Sequence, residues 1–266
     1  QNVMQTAYHI LVASSADLLA QEKGDIWDSG KIESDASQWI AYQGKPLKRN
    51  ARYYWKVKVY TNRGEADWSA PAFWSMGLLN EADWQGQWIG LDRTTPGDSE
   101  TQWSRLAARY LRKEFALSKE VKRATVHIAG MGLYELFING QRIGDQVLAP
   151  APTDYRKTIL YNTYDVTPQL RKENAIGVTL GNGRFYTMRQ NYKPYKIPTF
   201  GYPKLRLNLI VEYMDGSKET IATNTSWKLT TEGAIRSNNE YDGEEYDARK
   251  ELGNWTQSGY DAVSYT

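Results

Sequence analysis

The stretch LYELFINGQRIGD, Leu133 to Asp145, constrains the fold more than any other. Residues alternate on both sides of Asn139-Gly140, and this dipeptide takes the two positive φ angles of a primed two-residue turn at least cost. The spacing predicts an antiparallel β-hairpin. Asp215-Gly216 repeats the signal between LRLNLIVEYM and SKETIATN, where Leu207, Leu209 and Val211 alternate with Asn208, Ile210 and Glu212. ARYYWKVKVYT reads the same way: Tyr53, Trp55, Val57 and Val59 fall on one face, expected to be buried, with Lys56 and Lys58 on the other.

The pattern continues through most of the chain. QTAYHILVAS, DIWDSGKI, QWIAYQGKPL and APAFWSMG read as strands around residues 5–78, with TNRGEADWS as a turn. LRKEFAL, RATVHIAG, TILYNTYDV, NAIGVTLGNG and SWKLTT follow later. The best helical segment is the short SADLLAQEKG. Many short strands with regular turn signals argue for an all-β protein made of two antiparallel β-sandwich domains, the second a jelly roll of about 160 residues. LLNEADWQGQWIG is expected to lead from one into the other, and a polar loop near residues 94–105 interrupts the second. The expected division is 1–80, 81–257 and a linker beginning at 258.

Several chemistries are excluded by what the strands lack. The chain has no cysteine, hence no disulfide frame, thiol nucleophile or thiolate metal site. Its 2 histidines, His9 and His127, lie inside strand patterns without zinc spacing. No G-x-S-x-G elbow is present. Gly181 and Gly183 in LGNGRFY lack the third glycine and the helix of a dinucleotide site. A formal charge of +2 argues for no nucleic-acid partner. No apolar run approaches the roughly 18 residues of a membrane span, and any export signal is expected to lie outside this sequence.

Two segments carry polar chemistry. From Gly181 to Pro203 runs a loop of about 20 residues without a usable period. It interleaves Phe185, Tyr186, Tyr192, Tyr195, Phe200 and Tyr202 with Arg184, Arg189, Lys193 and Lys196. Such a loop can pack against a neighbouring domain, stack on sugar rings or bind single-stranded nucleic acid; the small net charge makes the last the weakest reading. In NNEYDGEEYDAR, five carboxylates (Glu240, Asp242, Glu244, Glu245 and Asp247) precede Arg249. A carboxylate pair suits glycoside hydrolysis, a larger group suits calcium, and the plain reading of the same cluster is a solvated turn with local ion pairs. Asp154 and Tyr155 punctuate APTDYRK before a strand.

QTAYHILVAS, IWDSGK, YYWKVKVYT, WSAPAFWSMG, LYELFINGQRIGD, TDYRKTILYNTYDVT, LGNGRFY, DGSKETIATNTSWK and NNEYDGEEYDAR together resemble, in order, the N-terminal region of bacterial α-L-rhamnosidases, inverting glycoside hydrolases. YDGEEYDAR after SWK is the most specific piece. The resemblance implies a fibronectin-type-III-like domain, short of its opening strands, then a galactose-binding-like jelly roll. In the family a helical α/α barrel follows and supplies the catalytic carboxylates. No catalytic residue is therefore assigned to this chain. The resemblance also implies a rhamnose-containing glycan and the missing catalytic domain as partners, a periplasmic or extracellular setting, no membrane contact, and calcium as the one cofactor left open. The residues expected on a carbohydrate-binding or domain-docking surface are Asp154, Tyr155, Asn182, Arg184, Tyr186, Tyr241, Asp242, Glu245 and Asp247. The alternative is a free-standing carbohydrate-binding or adhesion module.

Overall fold

A computed structural model describes residues 2–92, 106–187, 200–262 and 265. The chain divides into two compact units, Gln1–Asp83 and Trp84–Thr266. All pairings between its named strands are antiparallel among the described residues.

In the first unit, β1 (Gln5–Ala13), β2 (Trp27–Glu33), β3 (Arg52–Thr61), β4 (Gly64–Glu65) and β5 (Ala72–Ser75) form one sheet in the order β2-β1-β3-β4, with β5 also on β3. The expected burial of β3 is reversed near its middle. Trp55 is 37% exposed and Lys56 only 7%. Lys56 lies opposite Leu11 in register, and Leu11 clusters with Leu19 of helix α1 (Ala16–Ala20) and with Trp68. The Lys56 ammonium sits 4.9 Å from the centre of the Trp68 ring, and that of Lys58 at 5.3 Å. The lysine stems supply apolar surface to this face while their charges rest on an indole. Gln38–Leu47, read as a strand, forms none; it is a loop in which Tyr42 packs edge-on to Trp27 at 5.3 Å.

The second unit is a sandwich. Its strands are β6 (Ile89–Gly90), β7 (Arg109–Ala116), β8 (Val121–Met131), β9 (Leu133–Ile138), β10 (Gln141–Ile143), β11 (Tyr161–Asp165), β12 (Glu173–Gly181), β13 (Lys204–Tyr213), β14 (Lys218–Ala222), β15 (Lys228–Thr230), β16 (Ile235–Asn239) and β17 (Gly243–Tyr246). One sheet runs β10-β9-β12-β7-β15, the other β11-β8-β13-β14 with β6 on β13, and β16-β17 stand as a separate hairpin. The alternation sets the core: Leu111, Leu136, Ile138, Ile176, Val178 and Leu180 from one sheet meet Val126, Ile128, Leu205, Leu207, Leu209 and Val211 from the other. Each such side chain contributes about 1.5–3 kcal/mol of burial.

The two hairpin turns differ. Asn139 and Gly140 have φ of 51° and 82°, and Gln141 pairs with Ile138, the expected two-residue primed turn. Of Asp215 and Gly216 only Gly216 is at positive φ, 82°, and the Tyr213 amide bonds the Ser217 carbonyl at 2.9 Å. That connection is therefore a three-residue loop ending in a left-handed residue, not a second copy of the first turn.

Both sheets carry a strap of chain on the outer face. Residues 84–88 cross the β8–β13 face, where the Gly86 amide bonds Asn208 Oδ1 at 2.7 Å and Arg206 lies 5.1 Å from the Trp84 ring. Residues 255–262 cross the β7–β12 face above Arg112 and Gly177. A Cβ at Gly86 would lie 2.5 Å from the Leu207 carbonyl oxygen, and one at Gly177 2.6 Å from Thr256 Cγ2, so only glycine admits each strap. The first strap covers Asn208, an outward residue that is fully buried.

Candidate functional site

The polar and aromatic residues of the two informative segments meet at one end of the sandwich, where β7 begins and β12 ends. Asn182 follows β12 and is 1% exposed. Its amide N–H donates to Asn238 Oδ1 at 2.6 Å, and its side chain donates to the carbonyls of Leu106 at 2.8 Å and Asn238 at 2.7 Å. Asn182 thus ties the loop after β12 to the start of β7 and to β16. Through these donors Asn182 fixes the geometry of this end of the sandwich.

Above this tie lies an aromatic group. Tyr155 packs edge-on against Phe185 and Phe200, at 5.2 and 5.3 Å, and these two stack at 5.9 Å. Phe185 is buried and Tyr155 is half-buried. Burial pushes the Tyr155 hydroxyl up from its ordinary pKa. Beside it, exposed Arg184 donates through Nη1 to both Glu240 oxygens, at 3.1 and 3.0 Å, and to the Tyr241 hydroxyl at 3.1 Å. The hydrogen bond to Glu240 raises the guanidinium pKa further. An aromatic body flanked by an exposed guanidinium, a carboxylate and a phenol matches the groups that bind sugar hydroxyls and sugar CH faces.

The structure therefore brings Tyr155, Asn182, Arg184 and Tyr241 together and adds Glu240, Phe185, Phe200 and Asn238. It places the others differently. Tyr186 is 2% exposed, with its ring stacked at 6.1 Å on Tyr202. Asp154 folds onto its own neighbour, with Oδ1 2.9 Å from Arg156 Nε, and this ion pair holds its carboxyl below the usual range. Asp242 accepts from Asn239 Nδ2 at 3.0 Å within the hairpin turn. Glu245 stands exposed on β17 opposite Ser237. Asp247 caps the turn Ala248–Lys250 and bonds Arg249 at 2.8 and 2.9 Å, which lowers its pKa to about 2. Arg189, Tyr192, Lys193, Tyr195 and Lys196 lie outside the described residues, as does the interrupting loop near 94–105.

The five carboxylates do not converge. Among the described residues no three Asp, Glu or His side chains are grouped to hold a metal ion. Nor is any described carboxyl group with a clear shift pushed upward: Asp25, Asp28, Asp83, Asp154, Glu212, Asp215, Glu232 and Asp247 are all lowered. A general acid for glycoside cleavage needs the opposite shift. Sequence reasoning passed over Asn238 because nothing local links it to Asn182, 56 residues away.

Residues 119–266 match the α-L-rhamnosidase N-terminal domain, and residues 1–80 match the Rha78A-like N-terminal immunoglobulin domain, whose sandwich architecture fibronectin type III domains share. An α-L-rhamnosidase of Formosa agariphila is 42% identical over 98% of this chain, which spans 29% of that protein. The α-L-rhamnosidase structure from Dictyoglumus thermophilum superposes with a TM-score of 0.87 at 40% identity, over 100% of this chain and 30% of the other. The Streptomyces avermitilis α-L-rhamnosidase, solved in complex with L-rhamnose, gives 0.86 at 25% identity, over 99% and 41%. With more than half its length in the family's own domain and a 40%-identical structural match along its whole length, the chain belongs to the α-L-rhamnosidase family, as part of its N-terminal region.

Proposed function

We propose that this chain is the non-catalytic N-terminal portion of an inverting α-L-rhamnosidase that removes terminal rhamnose from glycans. Its jelly roll supports the catalytic barrel and touches the glycan through Tyr155, Arg184, Glu240 and Tyr241. The observation that carries the reading is the span: relatives with the activity are matched along nearly all of this chain but only 29–30% of their own length. A periplasmic or extracellular setting fits a glycan substrate of this kind.

Calorimetric titration of the chain with L-rhamnose tests the glycan contact. Saturable heat that Arg184→Ala weakens is expected, unchanged by calcium or a chelator because no three Asp, Glu or His side chains are grouped to hold a metal ion among the described residues. No heat with the folded protein would remove the glycan contact and leave the support of the barrel alone.

A further inference from the structure

At the other end of the sandwich, where β7 ends and β12 begins, lies a cavity of about 440 Å³. It is open to solvent, and two loops border it, one between β7 and β8 and one leading into β12. Leu117, Val121 and Leu170, all packed on the core, form apolar wall, and Lys119, Arg171 and Lys172 supply charge. Among the described residues no carboxylate lines the cavity. Lys119 is committed, at 2.8 Å from Asp215 and 2.9 Å from Ser217 Oγ. Arg171 and Lys172 are exposed, and neither meets a carboxylate among the described residues.

The backbone that carries these two cations is held firmly. The Leu117 amide donates to the Lys172 carbonyl at 2.8 Å. Asn174, 1% exposed, accepts the Arg171 amide at 2.8 Å and donates to the Arg171 carbonyl at 2.6 Å. Asn139, from the hairpin turn, donates to Asn174 Oδ1 and to the Gln169 carbonyl, both at 2.9 Å. Two exposed cations on a fixed backbone thus stand beside an apolar wall, the charge and the apolar surface that an oxyanion on a larger ligand would need. The volume falls within the roughly 300–1,000 Å³ of small-ligand sites.

We infer that this cavity binds an oxyanion through the Arg171 guanidinium and the Lys172 ammonium, either as a free inorganic ion or as the carboxylate or sulfate of an acidic sugar whose ring lies on Leu117 and Leu170. The acidic-sugar source rests on the glycan reading above; the oxyanion chemistry does not.

An amide-detected NMR titration of the chain at low salt, with D-glucuronate, inorganic sulfate and L-rhamnose in separate arms, tests it. Saturable shifts confined to Leu117–Val121 and Thr167–Lys172 are expected with glucuronate, and the Arg171→Ala/Lys172→Ala double variant raises the dissociation constant at least about tenfold at unchanged thermal stability. Sulfate acting as strongly as glucuronate identifies the free ion as sufficient; glucuronate acting alone identifies the acidic sugar. Neither anion shifting these amides, the double variant binding as tightly as the parent, or neutral rhamnose shifting them equally would overturn the inference. Rhamnose shifts at the Tyr155–Arg184 end bear only on the glycan contact.

Discussion

Arg112 Nε donates to the carbonyl of Trp255, 143 residues away in sequence, at 3.0 Å. The same guanidinium reaches the carbonyls of Tyr260 at 3.2 Å and Gln257 at 2.9 Å, and Glu114 Oε1 at 2.6 Å. Glu114 in turn accepts the Gly259 amide at 2.9 Å. One buried side chain therefore holds the strap across the outer face of the β7–β12 sheet. Arg112→Ala leaves several carbonyls without their donor, and we expect a loss of about 3 kcal/mol or more in denaturant unfolding. Arg112→Lys keeps the charge without the fork and should recover less than half of it. A loss under about 1 kcal/mol for the alanine variant would show that the strap is held by its apolar contacts alone.

The Asn139 turn should matter more than the Asp215 loop. Asn139 sits at φ 51°, accepts the Ala175 amide at 2.9 Å and donates to Gln169 and Asn174. Asn139→Ala loses the side-chain bonds and keeps the unfavourable φ, for an expected cost of about 2–3 kcal/mol. Asp215→Ala loses exposed bonds while Gly216 still supplies the left-handed residue, so its cost should be a small part of that. Thermal or urea unfolding of the two variants makes the comparison, and equal losses would refute it.

His127 makes stability pH-dependent. It is fully buried, with Nδ1 3.0 Å from Thr163 Oγ1, and desolvation, with a smaller contribution from the Arg123 charge, pushes its pKa down to about 4. The unfolded chain protonates near 6.5 and the folded one near 4, so between those values the unfolded state binds more protons. The contribution is complete above about pH 6.5, falls as the pH drops toward 4, and is level below it. The full span is roughly 3 kcal/mol. Urea unfolding at intervals from pH 7.5 to 4.5 should show this decline, and His127→Gln should flatten it; an unchanged slope in the variant would assign the decline to other groups.

The loop surface separates folding from contact. Phe185 is 6% exposed beneath Tyr155, and Phe185→Ala should cost about 3 kcal/mol. The Arg184–Glu240 pair is exposed, 47% and 42% at the side chains, so Arg184→Ala should change stability by less than about 0.5 kcal/mol while weakening rhamnose heat. Equal destabilisation by both would make Arg184 part of the fold rather than of a contact surface.

Elements with a local period were legible in the sequence. Leu207, Leu209 and Val211 face the core as their alternation requires, and Asn139-Gly140 turns as its backbone preferences require. The face of β3 was not, because burial of Lys56 depends on helix α1 and Trp68, which no period within the strand encodes. The same holds for the straps: Gly86 and Gly177 are single residues whose need appears only when distant chain crosses them. At the candidate site, Tyr155, Arg184 and Tyr241 could be picked by residue type. Their meeting through Asn182 and Asn238 depends on two loops 56 residues apart. Asp154 and Asp247 looked available in sequence, yet each is satisfied by an arginine two positions on.

The most direct test of the central claim is a turnover assay of the 266-residue chain on an aryl α-L-rhamnoside. The account predicts no hydrolysis above buffer, because the chain matches only 29–30% of the length of relatives with the activity. Clear turnover that Glu245→Gln abolishes would place the hydrolytic carboxylates in the β16–β17 hairpin and contradict it.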